Sequence, residues 1–292
     1  MKVLVTGGSG QLGHEVVRCL RLHDSDVIVP TLDELDLMTP ESIDTVIAQH
    51  RPDQVINCAA YTQVDKAESQ PQAAFMINRD AAGRLAGAVA STGGRLLHVS
   101  TDFVFDGKQQ TPYRESDPAH PMSVYGRSKR EGEEAVMRAL PGAVILRTAW
   151  LYGVHGHNFV KTMLRLAREG KPLRVVADQR GTPTWAADVA SVILQLLGSG
   201  ASGLFHYTSA GSTSWHGFAR AILDEAAEVG FDVRTRHVEP IPATDYPTPA
   251  VRPAYSVLDT GKIESQLSLS IPDWRDSLKK MLEELHTCPD CL

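Results

Sequence analysis

The stretch Thr6-Gly7-Gly8-Ser9-Gly10-Gln11-Leu12-Gly13 directly follows the short apolar run Val3-Leu4-Val5 near the start of this 292-residue chain. Gly7, Gly10 and Gly13 have the spacing G-x-x-G-x-x-G, and apolar positions then continue at the helical period. Glycines at a strand-to-helix turn let the backbone approach a pyrophosphate, whose charge is met by the amides at the helix start. The stretch therefore predicts the first strand, phosphate loop and first helix of a dinucleotide-binding fold.

Strands and helices are predicted to alternate through the first half of the chain. Apolar runs predict strands at 26–29, 54–58, 95–100 and 143–147, separated by helices at 39–50 and 71–91 and by a helix that carries Tyr125. This alternation predicts an α/β fold with a Rossmann-type doubly wound parallel sheet. Beyond residue 153 the alternation weakens, which predicts a smaller mixed α/β substrate-binding domain.

The domain boundaries follow from the same change of pattern. We expect residues 1–153 to form the dinucleotide-binding domain and residues 178–200 to return to it. Residues 154–177 and 201–292 are expected to form mainly the substrate-binding domain.

Composition and charge exclude several classes of function. The formal net charge is −6 and no dense Lys/Arg run occurs, so nothing favours a nucleic acid or an anionic membrane as partner. No apolar run approaches the length of a membrane span, and the first strand begins at Lys2, which leaves no room for a signal peptide. The four cysteines do not resemble a disulfide framework. We therefore expect a cytoplasmic protein.

Candidate chemistry is concentrated in two places, Thr101 at the end of the fourth predicted strand and the pair Tyr125 and Lys129. Residues four apart lie on one face of a helix, and an ammonium there favours the phenolate and is expected to lower the tyrosine pKa toward neutrality. Such a tyrosine can exchange a proton with a carbonyl or hydroxyl oxygen, which the hydroxyl of Thr101 can also hold. Tyr–Lys pairs with this spacing also occur as ordinary surface neighbours, so the pair alone does not establish catalysis.

The residues after the second predicted strand bear on the choice of cofactor. A dinucleotide fold places an acid there for NAD or a basic group for NADP. Glu34 and Asp36 follow the strand and no Lys or Arg occurs before Arg51, although Arg18 or Arg21 on the first helix could reach a 2′-phosphate. The choice between NADH and NADPH stays open, with a slight preference for NADH or dual use.

Further motifs occur in a fixed order along nearly the whole chain. After the glycine loop they are Ala59-Ala60-Tyr61-Thr62-x-Val64-Asp65-x-Ala67-Glu68, Ser100-Thr101-Asp102-x-Val104-Phe105-Asp106-Gly107, Tyr125-Gly126-x-x-Lys129, Leu146-Arg147-Thr148-x-Trp150-Leu151-Tyr152-Gly153, Asp178-Gln179-x-Gly181-x-Pro183-Thr184 and Arg252-Pro253-x-x-Ser256-x-Leu258-Asp259. With these motifs the chain resembles the extended short-chain dehydrogenase/reductase superfamily and, within it, the dTDP-4-dehydrorhamnose reductase family.

The resemblance implies an activity and a set of site residues. A reduced nicotinamide would deliver hydride to C4 of a dTDP-4-keto-6-deoxy-L-sugar, with Tyr125 as proton donor, Lys129 on the nicotinamide ribose and Thr101 on the substrate oxygen. The predicted cofactor-binding residues are Gly7, Ser9, Gly10, Gln11, Leu12, Gly13, Asp36, Leu37, Ala59, Ala60, Tyr61, Tyr125 and Lys129. The predicted substrate-binding residues are Thr62, Val64, Phe103, Trp150, Asn158 and Arg252.

The family resemblance also suggests partners and leaves rivals open. It allows a homodimer, with Mg2+ bound by carboxylates at the dimer contact, although no residue is predicted as a metal ligand. Phe103 stands where the family commonly has tyrosine, so a hydroxyl is lost and sugar stereospecificity could differ.

One rival is a related epimerase or 4,6-dehydratase, the latter disfavoured because Phe103 occupies the position of the dehydratase glutamate. Another is an NADP-binding regulatory subunit like that of methionine adenosyltransferase.

The tail Cys288-Pro289-Asp290-Cys291 has the C-x-x-C spacing of zinc ligands or of a redox disulfide. A structural zinc site normally needs four ligands, and only His286 lies nearby in the sequence. We therefore expect a disordered tail.

Overall fold

The centre of the protein is a six-stranded parallel sheet, seen in a computed structural model that describes residues 1–288 and Cys291. In order across the sheet the strands are β2 (Asp26–Ile28), β1 (Lys2–Thr6), β3 (Gln54–Asn57), β4 (Arg95–Thr101), β5 (Val144–Thr148) and β10 (Gly203–His206). Three short pairs complete the strands, namely β6 (Leu151–Tyr152) with β9 (Thr184–Trp185), β7 (Leu173–Val176) with β12 (Val238–Ile241), and β8 (Arg180–Gly181) with β11 (Thr213–Ser214). The predicted α/β class with a Rossmann-type doubly wound sheet is confirmed.

Helices cover both faces of the sheet, which is why its strands are nearly continuous apolar runs. The helices are α1 (Gln11–Leu22), α2 (Pro40–His50), α3 (Val64–Ser69), α4 (Pro71–Phe75), α5 (Ala82–Thr92), α6 (Val124–Ala139), α7 (Phe159–Arg168), α8 (Ala186–Gly198), α9 (Trp215–Val229), α10 (Gly261–Leu267) and α11 (Trp274–His286). One face packs on α1 and α8, and the other on α2, α5 and α6. The chain leaves β1 for β2 on one side and returns to β3 on the other, so a ligand crevice is expected between β1 and β3 at their carboxyl ends.

The predicted helix 71–91 is interrupted by a π-helical segment, Met76–Ala81, between α4 and α5. Asn78 in this segment is buried, and its side chain bonds both backbone groups of Tyr61 and the hydroxyl of Ser128. The π-helical segment thus directs the side chain of Asn78 to the loop after β3. The hydrophobic periodicity of the sequence does not reveal such a long-range contact.

The second half of the chain forms its own apolar cluster around α7, α9 and α11. Within this half, strand β12 pairs in parallel with β7. Strand β10 joins the central sheet, although residues 201–292 were expected to lie mainly in the substrate-binding domain. The domain boundaries stay a prediction.

At the C-terminus Cys288 and Cys291 are half-buried and joined by a disulfide, with their Cα atoms 5.4 Å apart. The C-x-x-C spacing allowed a disulfide, although a disordered tail was expected. The expected disordered tail falls partly on residues 289, 290 and 292, which lie outside the described residues. Within 1–288 and Cys291, no helix combines the length and apolar character needed to cross a bilayer.

Candidate active site

A cavity of about 690 Å³ opens at the carboxyl edge of the sheet, beside the β1–β3 switch point. It is bounded by the glycine loop, the ends of β3, β4 and β5, and the start of α6. Of the predicted residues, those that line it are Gly7, Ser9, Gly10, Gln11, Leu12, Gly13, Ala59, Ala60, Thr62, Val64, Thr101, Phe103, Tyr125, Lys129 and Trp150. The structure therefore brings the candidate catalytic residues and the glycine loop to one cavity.

The glycine loop lies so close to neighbouring backbone that side chains at its glycines would not fit. Without side chains, the loop backbone can approach a pyrophosphate. Gly7 has φ +67°, and a Cβ on it would lie 2.8 Å from the nitrogen of Ala59. A Cβ on Gly13 would overlap the carbonyl oxygen of Gly7. Gly10 precedes α1 and offers no side chain to its first N–H groups, which leaves these donors directed to the cavity edge. The loop therefore has the backbone geometry and the dipole to hold a dinucleotide.

The start of α6 places Tyr125 and Lys129 in the cavity wall. Ser123 caps the helix by accepting a hydrogen bond from the nitrogen of Gly126 at 3.1 Å. The ring of Tyr125 meets that of Phe103 edge-on at 5.5 Å between centroids. Lys129 is 2% exposed, and its Nζ donates to the carbonyl oxygen of Val99 at 2.7 Å and lies 3.4 Å from Nε2 of His98.

The expectation that Lys129 lowers the pKa of Tyr125 toward neutrality is wrong for this arrangement. Burial raises the pKa of Tyr125 to about 12, and the nearby Asp102 carboxylate also raises it, against a hydrogen bond with Thr101 that lowers it. Burial lowers the pKa of Lys129 to about 8, opposed by the charge of Glu133. The spacing predicts that the two residues share a helix face, but it does not reveal that burial dominates the pKa of each. At neutral pH Tyr125 is a phenol and can act as a proton donor.

A buried ion pair anchors α6 to the sheet one turn beyond Lys129. Arg147 on β5 donates to both carboxylate oxygens of Glu133, from Nε at 2.7 Å and from Nη2 at 2.6 Å. The hydroxyl of Ser100 on β4 donates to the same carboxylate at 2.6 Å. Glu133 is thereby held against the strands whose ends form the cavity.

Thr101 lies at the end of β4, directly before Asp102. Its Oγ1 accepts a hydrogen bond from the nitrogen of Phe103 at 3.2 Å and donates to Oδ1 of Asp102 at 3.1 Å. Asp102 is 2% exposed, and burial raises the pKa of its carboxyl to about 6. This acid was quoted within the family motif but was not predicted as a site residue.

Trp150 forms part of the cavity wall at the end of β5. Its backbone has φ +44°, an uncommon value for a bulky residue, and its indole stacks on that of Trp215 with ring centroids 3.6 Å apart. A Cβ on Gly181 would contact the same indole. Packing on both sides thus fixes Trp150, and Trp215 supports it from outside the cavity.

Other predicted residues lie outside the cavity lining, and their roles stay predictions. Asn158 caps α7 and donates to Oε1 of Gln11 at 3.0 Å. Arg252 forms a bidentate pair with Asp65, with Nη2 2.7 Å from Oδ2. The remaining three predicted residues outside the lining are Asp36, Leu37 and Tyr61.

The cavity also contains residues that the sequence interpretation did not select. They are Cys58, Val99, Ser100, Asp102, Thr148, Ala149, Leu151, Gly156 and His157. Cys58, Asp102 and Ala149 directly follow the ends of β3, β4 and β5, a position that marks them as candidates in a parallel sheet. In the part of the chain that the structure describes, no group of three His, Cys, Asp or Glu is placed to hold a metal ion, so Mg2+ finds no support there.

Comparisons with known proteins agree with this geometry. The family model described as "RmlD substrate binding domain" matches residues 1–287. A dTDP-4-dehydrorhamnose reductase from Burkholderia thailandensis is 42% identical over 98% of this chain and 99% of its own. A probable dTDP-4,6-dihydroxy-2-methyloxan-3-one 4-ketoreductase from Streptomyces antibioticus is also 42% identical, over 98% of this chain and 96% of its own. The structure of a Bacillus anthracis dTDP-4-dehydrorhamnose reductase in complex with NADP superposes with a TM-score of 0.92 at 35% identity, covering 97% of this chain and 99% of that one. The chain belongs to the dTDP-4-dehydrorhamnose reductase family.

Proposed function

We propose that the protein is an NAD(P)H-dependent reductase that converts the C4 keto group of dTDP-4-dehydro-L-rhamnose to the alcohol of dTDP-L-rhamnose. The observation that carries the proposal is the meeting of Thr101, Tyr125 and Lys129 with the glycine loop in one cavity. Relatives that bear the reductase name match almost the full chain, which supports the same activity.

Each residue has a distinct role in this reaction. A bound nicotinamide would supply a hydride for the keto carbon. Tyr125, a phenol because its pKa is about 12, donates its proton to the oxygen as negative charge develops there. The Lys129 ammonium lies on the same helix face and stabilises the tyrosinate that remains. The glycine loop and the first N–H groups of α1 hold the pyrophosphate of the cofactor.

The wall formed by Phe103 and Trp150 would select the sugar. Both are apolar surfaces on the substrate side of the cavity, and Phe103 offers no hydroxyl for the sugar ring. A relative named for a different dTDP-linked ketone is as similar as one named for dTDP-4-dehydrorhamnose. The assay should therefore compare several dTDP-4-keto sugars.

The rivals are not favoured. A purely regulatory role would not need the three candidate catalytic residues in one cavity, and a dehydratase would lack its glutamate at Phe103. An epimerase would retain oxidised cofactor through purification, which absorbance of the isolated protein would reveal. The homodimer and the cytoplasmic location expected from the sequence stay predictions.

We propose that NADH serves at least as well as NADPH. The backbone nitrogen and the hydroxyl of Thr31, just beyond β2, both donate to Oε2 of Glu34, at 2.8 and 3.0 Å. Arg18, one of the two basic residues on α1 that could reach a 2′-phosphate, is engaged by Glu15, with Nη2 2.7 Å from Oε2. A carboxylate at this edge disfavours a phosphate by charge repulsion.

The test follows oxidation of NADH and of NADPH separately with enzymatically generated dTDP-4-dehydro-L-rhamnose. Turnover with that sugar is expected, and Tyr125→Phe should lower kcat by roughly a hundredfold or more, the scale of a lost general acid. Tyr152→Phe is the matched control, because Tyr152 is fully buried away from the cavity and its hydroxyl has no hydrogen-bond partner among the described residues. Absence of turnover with both cofactors would refute the reductase function, and a strong preference for NADPH would refute the cofactor proposal.

A further inference from the structure

We propose that Asp102 is a positioning residue that sets the direction in which the Thr101 hydroxyl donates its proton, and thereby whether Thr101 can bond the substrate oxygen. The proposal rests on the reductase function above and deepens it, because it assigns a residue that controls the hydrogen bond made to the reacting carbonyl.

The hydrogen bonds of Thr101 carry the argument. A hydroxyl has one proton and two lone pairs. Oγ1 of Thr101 accepts from the nitrogen of Phe103 and donates to Oδ1 of Asp102 at 3.1 Å. The oxygen of Tyr125 also lies within reach of this single proton, but while Asp102 is a carboxylate its negative charge holds the proton of Thr101. A carbonyl oxygen is only an acceptor, so it then receives no hydrogen bond from Thr101.

The surroundings of Asp102 allow its charge to change. The side chain of Asp102 is fully buried. Burial raises the carboxyl pKa to about 6, against the hydroxyls of Ser256 and Thr101 and the N–H groups of residues 102 and 103, which lower it. From α6 it faces Tyr125, a neutral phenol, while the Lys129 ammonium is directed to Val99 and His98.

Protonation of Asp102 reverses the hydrogen bond. The carboxyl O–H then donates to Oγ1 of Thr101, whose two lone pairs are filled by this donor and by the nitrogen of Phe103. The proton of Thr101 is left to point into the cavity, where the keto oxygen accepts it beside Tyr125. The protonated form is thus the one that presents two donors to the reacting oxygen.

This arrangement predicts a partial step in the pH profile. As pH rises through the ionisation of Asp102, near 6, one hydrogen bond to the carbonyl is lost and kcat/KM falls to a lower plateau. A neutral hydrogen bond corresponds to a fall of about three- to tenfold. A second, separate decline is expected as Lys129 loses its proton near pH 8.

The experiment measures kcat/KM from about pH 5 to about pH 9 for the wild type, Asp102→Asn and Ser256→Ala. Asn donates an N–H to Thr101 at every pH, so Asp102→Asn should lack the step near 6 and keep the decline near 8. Loss of the Ser256 hydroxyl removes a group that lowers the Asp102 pKa, so Ser256→Ala should move the step to higher pH. The matched controls are Asp188→Asn and Ser277→Ala, a half-buried aspartate and its serine donor outside the cavity, which should leave the profile unchanged.

The outcomes separate this proposal from the reductase function. If the wild type has no step, if Asp102→Asn keeps it, or if Asp102→Asn lowers the rate equally at every pH, Asp102 does not direct Thr101. Should Asp102→Asn fail to fold, the position of the pH step in Ser256→Ala still tests the proposal, and an unmoved step would overturn it. Infrared difference spectra of the wild type should show a protonated carboxyl stretch that titrates near pH 6 and disappears in Asp102→Asn. That signal needs no turnover, so it is measurable even if the reductase assay fails, and its absence would overturn the proposal.

Discussion

Replacing Glu133 should both destabilise the fold and change the acid–base behaviour of the cavity. Glu133 and Arg147 are each 2% exposed in their side chains and form a bidentate pair. Glu133→Gln keeps the size of the side chain but leaves the Arg147 guanidinium buried without its main counter-charge. Breaking one side of a buried pair costs about 3–5 kcal/mol of unfolding free energy. Retained bonding from Ser100 to the amide oxygen places Glu133→Gln near the lower end of that range.

The pH dependence of stability gives an independent check on the Glu133 pair. Burial alone would raise the pKa of Glu133, but bonds from Arg147, Ser100 and Arg130 outweigh it and the pKa is lowered. A group with a lowered folded-state pKa contributes stability above its unfolded value, about 4.3, and loses it as pH falls through the folded value. The difference in unfolding free energy between the wild type and Glu133→Gln should therefore become smaller at acid pH.

The assay is urea unfolding of wild type, Glu133→Gln and Glu134→Gln, combined with the pH profile of kcat/KM. Glu134 is the next residue on α6 and is 47% exposed in its side chain, so its exposed pair with Arg130 should contribute less than about 1 kcal/mol. Because the charge of Glu133 raises the pKa of Lys129, its loss should also move the alkaline decline below pH 8. A destabilisation by Glu133→Gln no larger than that by Glu134→Gln would refute the role assigned to this pair.

Three further outcomes are expected. Gly13→Ala should abolish cofactor binding measured by NADH fluorescence, because its Cβ would overlap the Gly7 carbonyl oxygen; unchanged binding would contradict the close packing of the loop. Trp215→Leu should raise KM for the sugar several-fold with little change in KM for NADH, because Trp150 loses the indole that supports it; equal effects on both would argue for a general structural loss. In the wild type, kcat/KM should decline as pH rises through about 8, where Lys129 loses its charge; a flat profile to higher pH would exclude a need for the ammonium.

The sequence was sufficient to predict the parallel sheet and the main members of the cavity. Parallel strands bring their carboxyl ends to one edge, so Thr101, Ala59 and the glycine loop could be placed together before any contact was known. The turn at Gly7 and the spacing from Tyr125 to Lys129 are local features, and local features are what periodicity and residue type encode.

Long-range features were not predictable in this way. The π-bulge at Asn78 exists because its amide bonds the loop of Tyr61, and Arg252 is turned to Asp65, 187 residues away in the sequence. Neither partner could be identified from spacing. The spacing also predicts the wrong direction for the pKa of Tyr125, since it reveals a neighbouring charge but not the depth of burial that opposes it.

Burial also explains how three ionisable groups act together in this cavity. It raises the pKa of Tyr125 to about 12 and that of Asp102 to about 6, and it lowers that of Lys129 to about 8, so every group is shifted toward its neutral form. A cavity with these shifts would suit the neutral ketone of the proposed reaction. In the proposed reduction, negative charge would develop on the ketone oxygen and then on Tyr125, and the Lys129 ammonium would gain an anionic neighbour in addition to its bond with Val99. An attraction that strengthens on the way to the transition state accelerates the reaction, whereas one already present in the ground state does not. For the proposed reduction, the absence of a tyrosinate at rest would therefore be an advantage, because the buried lysine would be most effective beside a tyrosine that starts out neutral.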